Sequence, residues 1–237
     1  MANSTGERLA TVMTAVANLD RAFGEKYILI GGASLVCQGS QRVTMDLDVL
    51  VPVESIDRVA FTLTLSQDVT HRAGVVYSRA GETEFPVDIL HRIIGDRSFE
   101  DLEPFTITIL GGIKTLNLPI SLGIKIRCWF MRNDEVESGR RKQLSDLDDI
   151  GFICIKMQKT NMIVDNIVAK AIPVGCYNMQ LVKDALEQVG TLDLFLSVGG
   201  DKFLQHPWEE DSDDEWEYDI LLRGPGDDKE EEGQVGV

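Results

Sequence analysis

The chain has 237 residues, 43% of them hydrophobic, and a formal net charge of −16. This length and apolar fraction predict one sizeable folded domain, or one domain with a small cap, around a buried core. No apolar stretch reaches the roughly 18 residues that a membrane helix needs, and the N-terminus does not have the pattern of a signal peptide. We therefore expect no membrane association and a cytoplasmic location.

The negative charge is concentrated at the C-terminus. Residues 209–237 contain thirteen Asp or Glu and only two basic residues, Arg223 and Lys229, which places −11 of the −16 there. A charge block with few apolar residues predicts a disordered acidic tail, in which Trp208 and Trp216 could dock a protein partner. Because the rest of the chain is also mildly acidic, we expect no broad basic surface for nucleic acid.

The cysteines and histidines indicate neither a zinc site nor a disulfide framework. The four cysteines lie far apart without a Cys-x-x-Cys pair, and we interpret them as reduced thiols of an intracellular protein: Cys37, Cys128, Cys154 and Cys176. The three histidines are not spaced as metal ligands and are interpreted as structural or surface residues: His71, His91 and His206.

The N-terminal half is predicted to form a sheet with flanking helices. Apolar spacing and turn residues predict these elements in chain order: a helix over Glu7–Phe23 that stops at Gly24, a strand at Tyr27–Ile30, a short helix at Ala33–Cys37, a strand at Leu47–Val51, a surface helix at Ser55–Leu65, an antiparallel pair Val75–Ser78 and Pro86–Leu90 joined through Gly81-Glu82, a loop from Ile94 to Glu103, and a hairpin of Phe105–Leu110 and Ile113–Leu118 around Gly111-Gly112.

The second half is predicted to be helical. Its helices are expected at Ile120–Met131, Leu144–Gln158, Asn161–Ala171 and Tyr177–Val189. The fold class is therefore α/β (or α+β), with a mixed sheet of four or five strands. We expect a sheet-containing core over 1–118, a helical region packed on it over 119–208, and the tail over 209–237.

Two motifs near the N-terminus carry the candidate chemistry. The apolar run Ile28–Ile30 breaks into Gly31 and Gly32, a strand-to-helix turn whose backbone N–H groups suit a phosphate. Asp46 and Asp48 follow at i and i+2 of a strand, so both carboxylates are expected on one face, about 6–7 Å apart along the chain. Two acids near a phosphate-sized turn predict a divalent metal and a nucleoside triphosphate.

The pattern resembles the polymerase-β-like nucleotidyltransferase superfamily over roughly residues 25–157. The matching segments are Ile30-Gly31-Gly32 and Asp46-Leu47-Asp48-Val49, with Asp88 as the third acid in the strand Phe85–Leu90. Further residues make the chain similar to the AbiEii-type branch and the minimal nucleotidyltransferases: Arg42, Thr44, Lys125, Arg132 and the segment Asp146–Ile150. The resemblance implies a nucleotidyltransferase fold.

The resemblance also implies roles for these residues. Asp46, Asp48 and Asp88 would be catalytic and would hold Mg²⁺ (or Mn²⁺). Gly31, Gly32, Ser34, Arg42, Thr44 and Lys125 would bind the triphosphate, ATP among the candidates, and Asp146 would tether Lys125 or Arg132. The implied reaction moves a nucleoside monophosphate to a hydroxyl on a tRNA, a small molecule or a protein, with release of pyrophosphate.

Other interpretations compete with this one. Asp-x-Asp alone is also typical of a strand end whose acids face water. Haloacid-dehalogenase-type phosphatases place the pair after an apolar strand, whereas Arg42-Val43-Thr44-Met45 is polar and short. Metal-dependent sugar transferases use the motif too, but they give no role to the glycine turn or to Asp88. A catalytically idle nucleotide-binding or interaction module of the same fold is the alternative function.

Overall fold

A computed structural model of the protein describes residues 5–23, 26–55, 68–93, 96–172 and 179–205. Several predicted features lie outside these ranges and are not described further: the helix stop at Gly24, the predicted helix beyond Ser55, Cys176, His206, Trp208, Trp216 and the acidic tail.

The described part of the first half contains three helices and nine strands. Its helices are α1 (Thr5–Phe23), α2 (Gly31–Cys37) and α3 (Phe99–Leu102), with single 3-10 turns at Val53–Ser55, Glu103–Phe105 and Leu110–Gly112. Its strands are β1 (Ile28–Ile30), β2 (Leu47–Leu50), β3 (Val69–Arg72), β4 (Val75–Ala80), β5 (Thr83–Leu90), β6 (Arg92–Ile93), β7 (Arg97–Ser98), β8 (Thr106–Thr108) and β9 (Lys114–Leu116).

From Leu118 onward the described residues form helices. They are α4 (Leu118–Met131), α5 (Glu137–Lys159), α6 (Asn166–Ala171), α7 (Met179–Gln188), α8 (Leu192–Ser197) and a final 3-10 segment, Gly200–Gln205. Asn117 begins α4 by accepting a hydrogen bond from the backbone of Ile120 at 3.0 Å, and Pro119 occupies a first-turn position where its missing N–H costs nothing. No helix in the described ranges is both long and apolar enough to cross a membrane.

The main sheet is mixed and has seven described strands, in the order β3-β4-β5-β2-β1-β9-β8. Strand β2 lies at its centre, parallel to β5 and antiparallel to β1, and β1 in turn is parallel to β9. The expected mixed α/β class is confirmed, and so are the antiparallel pairs β4–β5 and β8–β9. The expected four or five strands were too few, because β3 and the hairpin β8–β9 also join the sheet.

The two faces of the sheet bury different apolar clusters, because side chains alternate along each strand. Leu47, Val49 and Val51 pack on the face that α1 covers, together with Val16 and Leu19. The C-terminal helices cover the opposite face. There Ile28, Ile30, Leu50 and Leu116 of the strands pack with Ile126 of α4 and Ile153 of α5. A residue two positions from Leu50 on the same strand shares its face, so the side chain at that position faces α4 and α5.

The predicted loop over Ile94–Glu103 was wrong where the chain is described. Residues Arg97–Ser98 form β7, and α3 follows at once. The side chain of Ser98 accepts a hydrogen bond from the backbone of Asp101 at 3.3 Å, and the Asp101 side chain accepts one from the backbone of Ser98 at 2.9 Å. This reciprocal capping box starts α3, a single turn that buries Phe99 and Leu102 but is too short for apolar spacing to predict.

Candidate functional site

Two of the three predicted acids face each other across adjacent strands. Asp48 in β2 and Asp88 in β5 are Cα partners in a parallel pair, a spacing of about 4.8 Å between strands. Asp48 lies two residues before Leu50, and Asp88 lies two residues before Leu90. Both acids are therefore on the face of the sheet that α4 and α5 cover, and both are half-buried. Asp46 lies two residues before Asp48 and is exposed. The strand register thus brings the acids to one end of the sheet.

The glycine turn lies against Asp48. Ile30 is the Cα partner of Asp48, so Gly31 starts α2 directly beside that carboxylate. Gly31 has a φ of +64°, and a Cβ at this position would overlap the Asp48 Oδ2 atom. A Cβ on Gly32 would lie 2.9 Å from Arg42 Cζ and 3.0 Å from Thr44 Oγ1. Gly31 is favoured by both its positive φ and the Asp48 carboxylate, whereas a Cβ at Gly32 would displace the ends of the Arg42 and Thr44 side chains.

The segment between α2 and β2 positions Asp46. The buried Thr44 hydroxyl lies 3.1 Å from Asp46 Oδ1 and 3.2 Å from the Asp46 carbonyl oxygen. A hydroxyl that donates to the residue two positions ahead restrains the turn that leads into the strand. Thr44 therefore acts on the Asp46 carboxylate, and its predicted direct contact with the triphosphate stays a prediction.

A chain of buried ion pairs lies behind the acids. Arg42 Nη1 pairs with Asp149 Oδ2, and the same oxygen lies 2.8 Å from Lys125 Nζ. Lys125 Nζ also donates to Asp146 Oδ1 at 2.9 Å, and Arg132 Nε donates to Asp146 Oδ2 at 3.1 Å. Positive and negative side chains thus alternate between α5 on one side and α4 with its C-terminal end and the segment between α2 and β2 on the other. The carboxylates of Asp146 and Asp149 are almost fully removed from water, and buried charges of this kind require partners.

An open pocket of about 280 Å³ connects these parts. The predicted site residues among its lining are Gly31, Gly32, Arg42, Asp46, Asp48, Asp88 and Lys125. The rest of the lining includes the apolar residues Leu90, Ile93, Ile124 and Met131 and the polar residues Arg132, Lys142, Ser145 and Asp146. A cleft of this size with a few convergent polar groups is typical of a small-molecule site.

The acids disfavour one another's ionisation. Burial, followed by the charges of Asp46 and Asp88, raises the pKa of Asp48 to about 7, although Lys125 and Arg42 oppose the rise. Burial and Asp46 likewise raise the pKa of Asp88, opposed by Lys142. Burial alone would lower the pKa of Lys125, but Asp146 and Asp149 hold it above its ordinary value, so the lysine is a fixed cation. This acid cluster therefore favours a bound positive charge.

The donor chemistry of the acids fits a divalent cation. Carboxylate oxygens are the ligands that Mg²⁺ and Mn²⁺ prefer, and such an ion would offset the repulsion that raises the pKa of Asp48. Among the residues of the described ranges, however, no three His, Cys, Asp or Glu side chains converge closely enough to hold a metal as they stand. Joint coordination by Asp46, Asp48 and Asp88 would require side-chain rotation, for which the exposed Asp46 has the most room.

Ser34 is not among the residues lining the large pocket. Its buried hydroxyl contacts Thr115 Oγ1 and accepts a hydrogen bond from Gln38 Nε2 at 3.3 Å. It borders a separate cavity of about 20 Å³, room for about one water molecule. The Ser34 hydroxyl thus lies away from the lining of the large pocket, and its binding to the triphosphate stays a prediction. Asp149, by contrast, received no role from the sequence, although its spacing of i+3 from Asp146 puts both on one helix face.

No protein-family model matches the chain, and no curated protein matches it in sequence. The class that can be stated is therefore structural: a mixed α/β protein whose central strands bring acids, a glycine turn and buried cations to one pocket.

Proposed function

We propose that the protein is a metal-dependent nucleotidyltransferase that transfers a nucleoside monophosphate from a nucleoside triphosphate to a hydroxyl acceptor. One observation supports this more than any other: Asp48 and Asp88 are register partners in adjacent strands, and Gly31 lies against Asp48 at the same pocket. Acids that face a close-approach glycine turn suit a polyphosphate with its cation better than a neutral ligand.

The residues of the chain divide into an acidic and a basic group. Asp46, Asp48 and Asp88 would hold Mg²⁺ or Mn²⁺, which when bound neutralises phosphate charge and acidifies an attacking hydroxyl. The first backbone N–H groups of α2, at Gly31 and Gly32, lack intrahelical acceptors and lie at the pocket. The phosphate oxygens would accept hydrogen bonds from them.

Arg42 and Lys125 would contribute positive charge on the other side of the triphosphate. Both line the pocket, and both are held by carboxylates behind them. Fixed charges that need no reorganisation stabilise the charge that develops in phosphoryl transfer. The more apolar wall of Leu90, Ile93 and Ile124 would accommodate less polar parts of the substrates and exclude water.

A catalytically idle nucleotide-binding module is the second candidate. Two observations favour it: the acids do not converge as a ready metal cluster among the described residues, and the two cations are already paired with Asp149. This candidate predicts nucleotide binding without transfer.

The proposal is tested by carboxylate substitution. Asp46→Asn and Asp48→Asn keep the side-chain size and remove the charge, and each should lower transfer at least about a hundredfold if the acids hold the metal. Asp148→Asn is the matched control, because Asp148 is exposed on α5 and is not among the residues lining the pocket. Incorporation of label from each α-labelled triphosphate into RNA, protein and small-molecule fractions of a cell extract measures the activity and reveals the acceptor.

Two results would decide against the proposal. Full transfer by the Asp46→Asn/Asp48→Asn double variant would remove the acids from the mechanism. Nucleotide binding without incorporation into any fraction, at saturating Mg²⁺ and Mn²⁺, would favour the idle module.

A further inference from the structure

Asp149 occupies a position that none of the proposed catalytic steps uses. It is 2% exposed, lies on α5, and is not among the residues lining the pocket. Yet its Oδ2 atom pairs with Arg42 from the segment after α2 and with Lys125 from α4. One carboxylate oxygen therefore ties together two cations from two different elements.

Arg42 needs this anchor because of where its guanidinium lies. The side chain is 24% exposed and passes over Gly32, where a Cβ would come within 2.9 Å of Cζ and 3.1 Å of Nε. A long side chain in such a position loses several rotamers, and the charged hydrogen bond to Asp149 compensates for that loss. Without Asp149, the guanidinium would keep, among its hydrogen bonds to described residues, only the long 3.5 Å one from its Nε to the adjacent Val43 carbonyl oxygen, which would not hold it over the glycine turn.

The second carboxylate of α5 has a different partner set. Asp146 divides its two oxygens between Lys125 and Arg132 and makes no pair with Arg42. Lys125 thus keeps one buried partner when Asp149 is neutralised, whereas Arg42 has no second ion pair within the described ranges. Removing the charge of Asp149 should therefore act on the pocket mainly through Arg42.

We propose that Asp149 is a positioning residue that sets Arg42 and Lys125 as a two-cation site for the polyphosphate of the substrate. This inference rests on the proposed function only for the identity of the ligand as a polyphosphate. The carboxylate itself touches no substrate. It fixes the direction of two positive groups that converge on the lining of the pocket beside Gly31 and Gly32.

The experiment is a double-mutant cycle read out by binding alone. Inorganic tripolyphosphate is titrated by calorimetry into wild-type protein, Asp149→Asn, Arg42→Gln and the double variant. We expect each single variant to bind about tenfold more weakly, the size of one charge-assisted contact, and the double variant to bind no more weakly than Arg42→Gln. Asp148→Asn, with the same chemical change on the exposed face of α5, should bind as the wild type does.

Several results would overturn the inference. They are unchanged affinity in a folded Asp149→Asn protein, effects that add independently in the double variant, or no tripolyphosphate binding by the wild type. If Asp149→Asn does not fold, Arg42→Gln decides alone, because its side chain is partly exposed, and unchanged affinity there overturns the inference. Absence of nucleotidyl transfer would contradict only the proposed function, since this binding cycle needs no turnover.

Discussion

Asp48 concentrates the electrostatic conflict of the pocket. It is half-buried between the glycine turn and Asp88, and its pKa rises to about 7 because of burial, Asp46 and Asp88. In the unfolded chain the same carboxyl has its ordinary pKa near 3.8. Between these two pKa values the folded state binds a proton that the unfolded state does not. The contribution of Asp48 to the free energy of unfolding is therefore largest at acid pH and is lost as the pH rises through about 7.

This difference gives a pH-dependent stability prediction. In EDTA, the free energy of unfolding of the wild type should fall relative to Asp48→Asn between about pH 4 and pH 7, by at most roughly 4 kcal/mol. Urea unfolding of both proteins across this pH range measures the difference. Asp148→Asn should follow the wild type, and saturating Mg²⁺ above pH 7 should restore stability to the wild type but not to Asp48→Asn. A constant difference across the range would contradict the described environment of Asp48.

At the scale of elements, the turn from β1 into α2 is the most constrained part of the site. Gly31 combines a φ of +64° with the contact to Asp48, whereas Gly81 has a φ of +63° and no atom within 4 Å of the position that a Cβ would take. Gly81→Ala should cost about 1 kcal/mol from backbone strain alone, and Gly31→Ala more than about 3 kcal/mol because the methyl group must also displace Asp48. Urea unfolding measures the loss of stability in both variants, and the excess loss at Gly31 gives the part that comes from displacing Asp48 and not from backbone strain. Equal losses would show that the Asp48 contact contributes nothing.

Sequence patterns predicted the central elements because their apolar spacing is strong. Strands β1 and β2, the β4–β5 hairpin and helix α4 all follow from it. The edge strand β3 was not predicted, because only Val69 of its four residues is buried and its turn uses Ala73 at φ +50° where Asn or Gly is usual. Helix α5 begins at Glu137 and not at Leu144, since its polar first turns are supported by Glu137–Arg140 and Glu137–Arg141 pairs, not by apolar residues.

The candidate site was predictable in composition and only partly in connection. The acids and glycines were found from their spacing, because strand alternation fixes which residues share a face. The contacts of Asp146 with Lys125 and Arg132 agree with the tether that the family resemblance implied. The ion pair from Arg42 to Asp149 was not predicted, because it joins residues that are 107 positions apart and only the packing of α5 on the sheet brings them together.

The charge distribution of the whole molecule bears on which acceptor the proposed reaction would use. Of the net −16, −11 lies in residues 209–237, and the remainder is still acidic. A polyanion that approaches the pocket is therefore repelled by the protein as a whole, most strongly at low salt. In the proposed reaction, a small-molecule or protein hydroxyl would encounter less repulsion than a large RNA, so an RNA acceptor would need local contacts.

This charge distribution yields the last prediction. Deleting residues 209–237 should raise the affinity for a single-stranded RNA oligonucleotide at about 0.01 M salt, where the Debye length is about 30 Å, and the gain should shrink towards 1 M salt. Replacing the same residues by a neutral Gly/Ser segment of equal length is the matched control, since it removes charge but keeps length, and it should give the same gain. Filter binding across a salt series measures both proteins, and nucleotidyl transfer should survive in each. Unchanged RNA affinity at low salt would show that the acidic block does not reach the surface that RNA approaches, and loss of transfer would assign the block a part in the site.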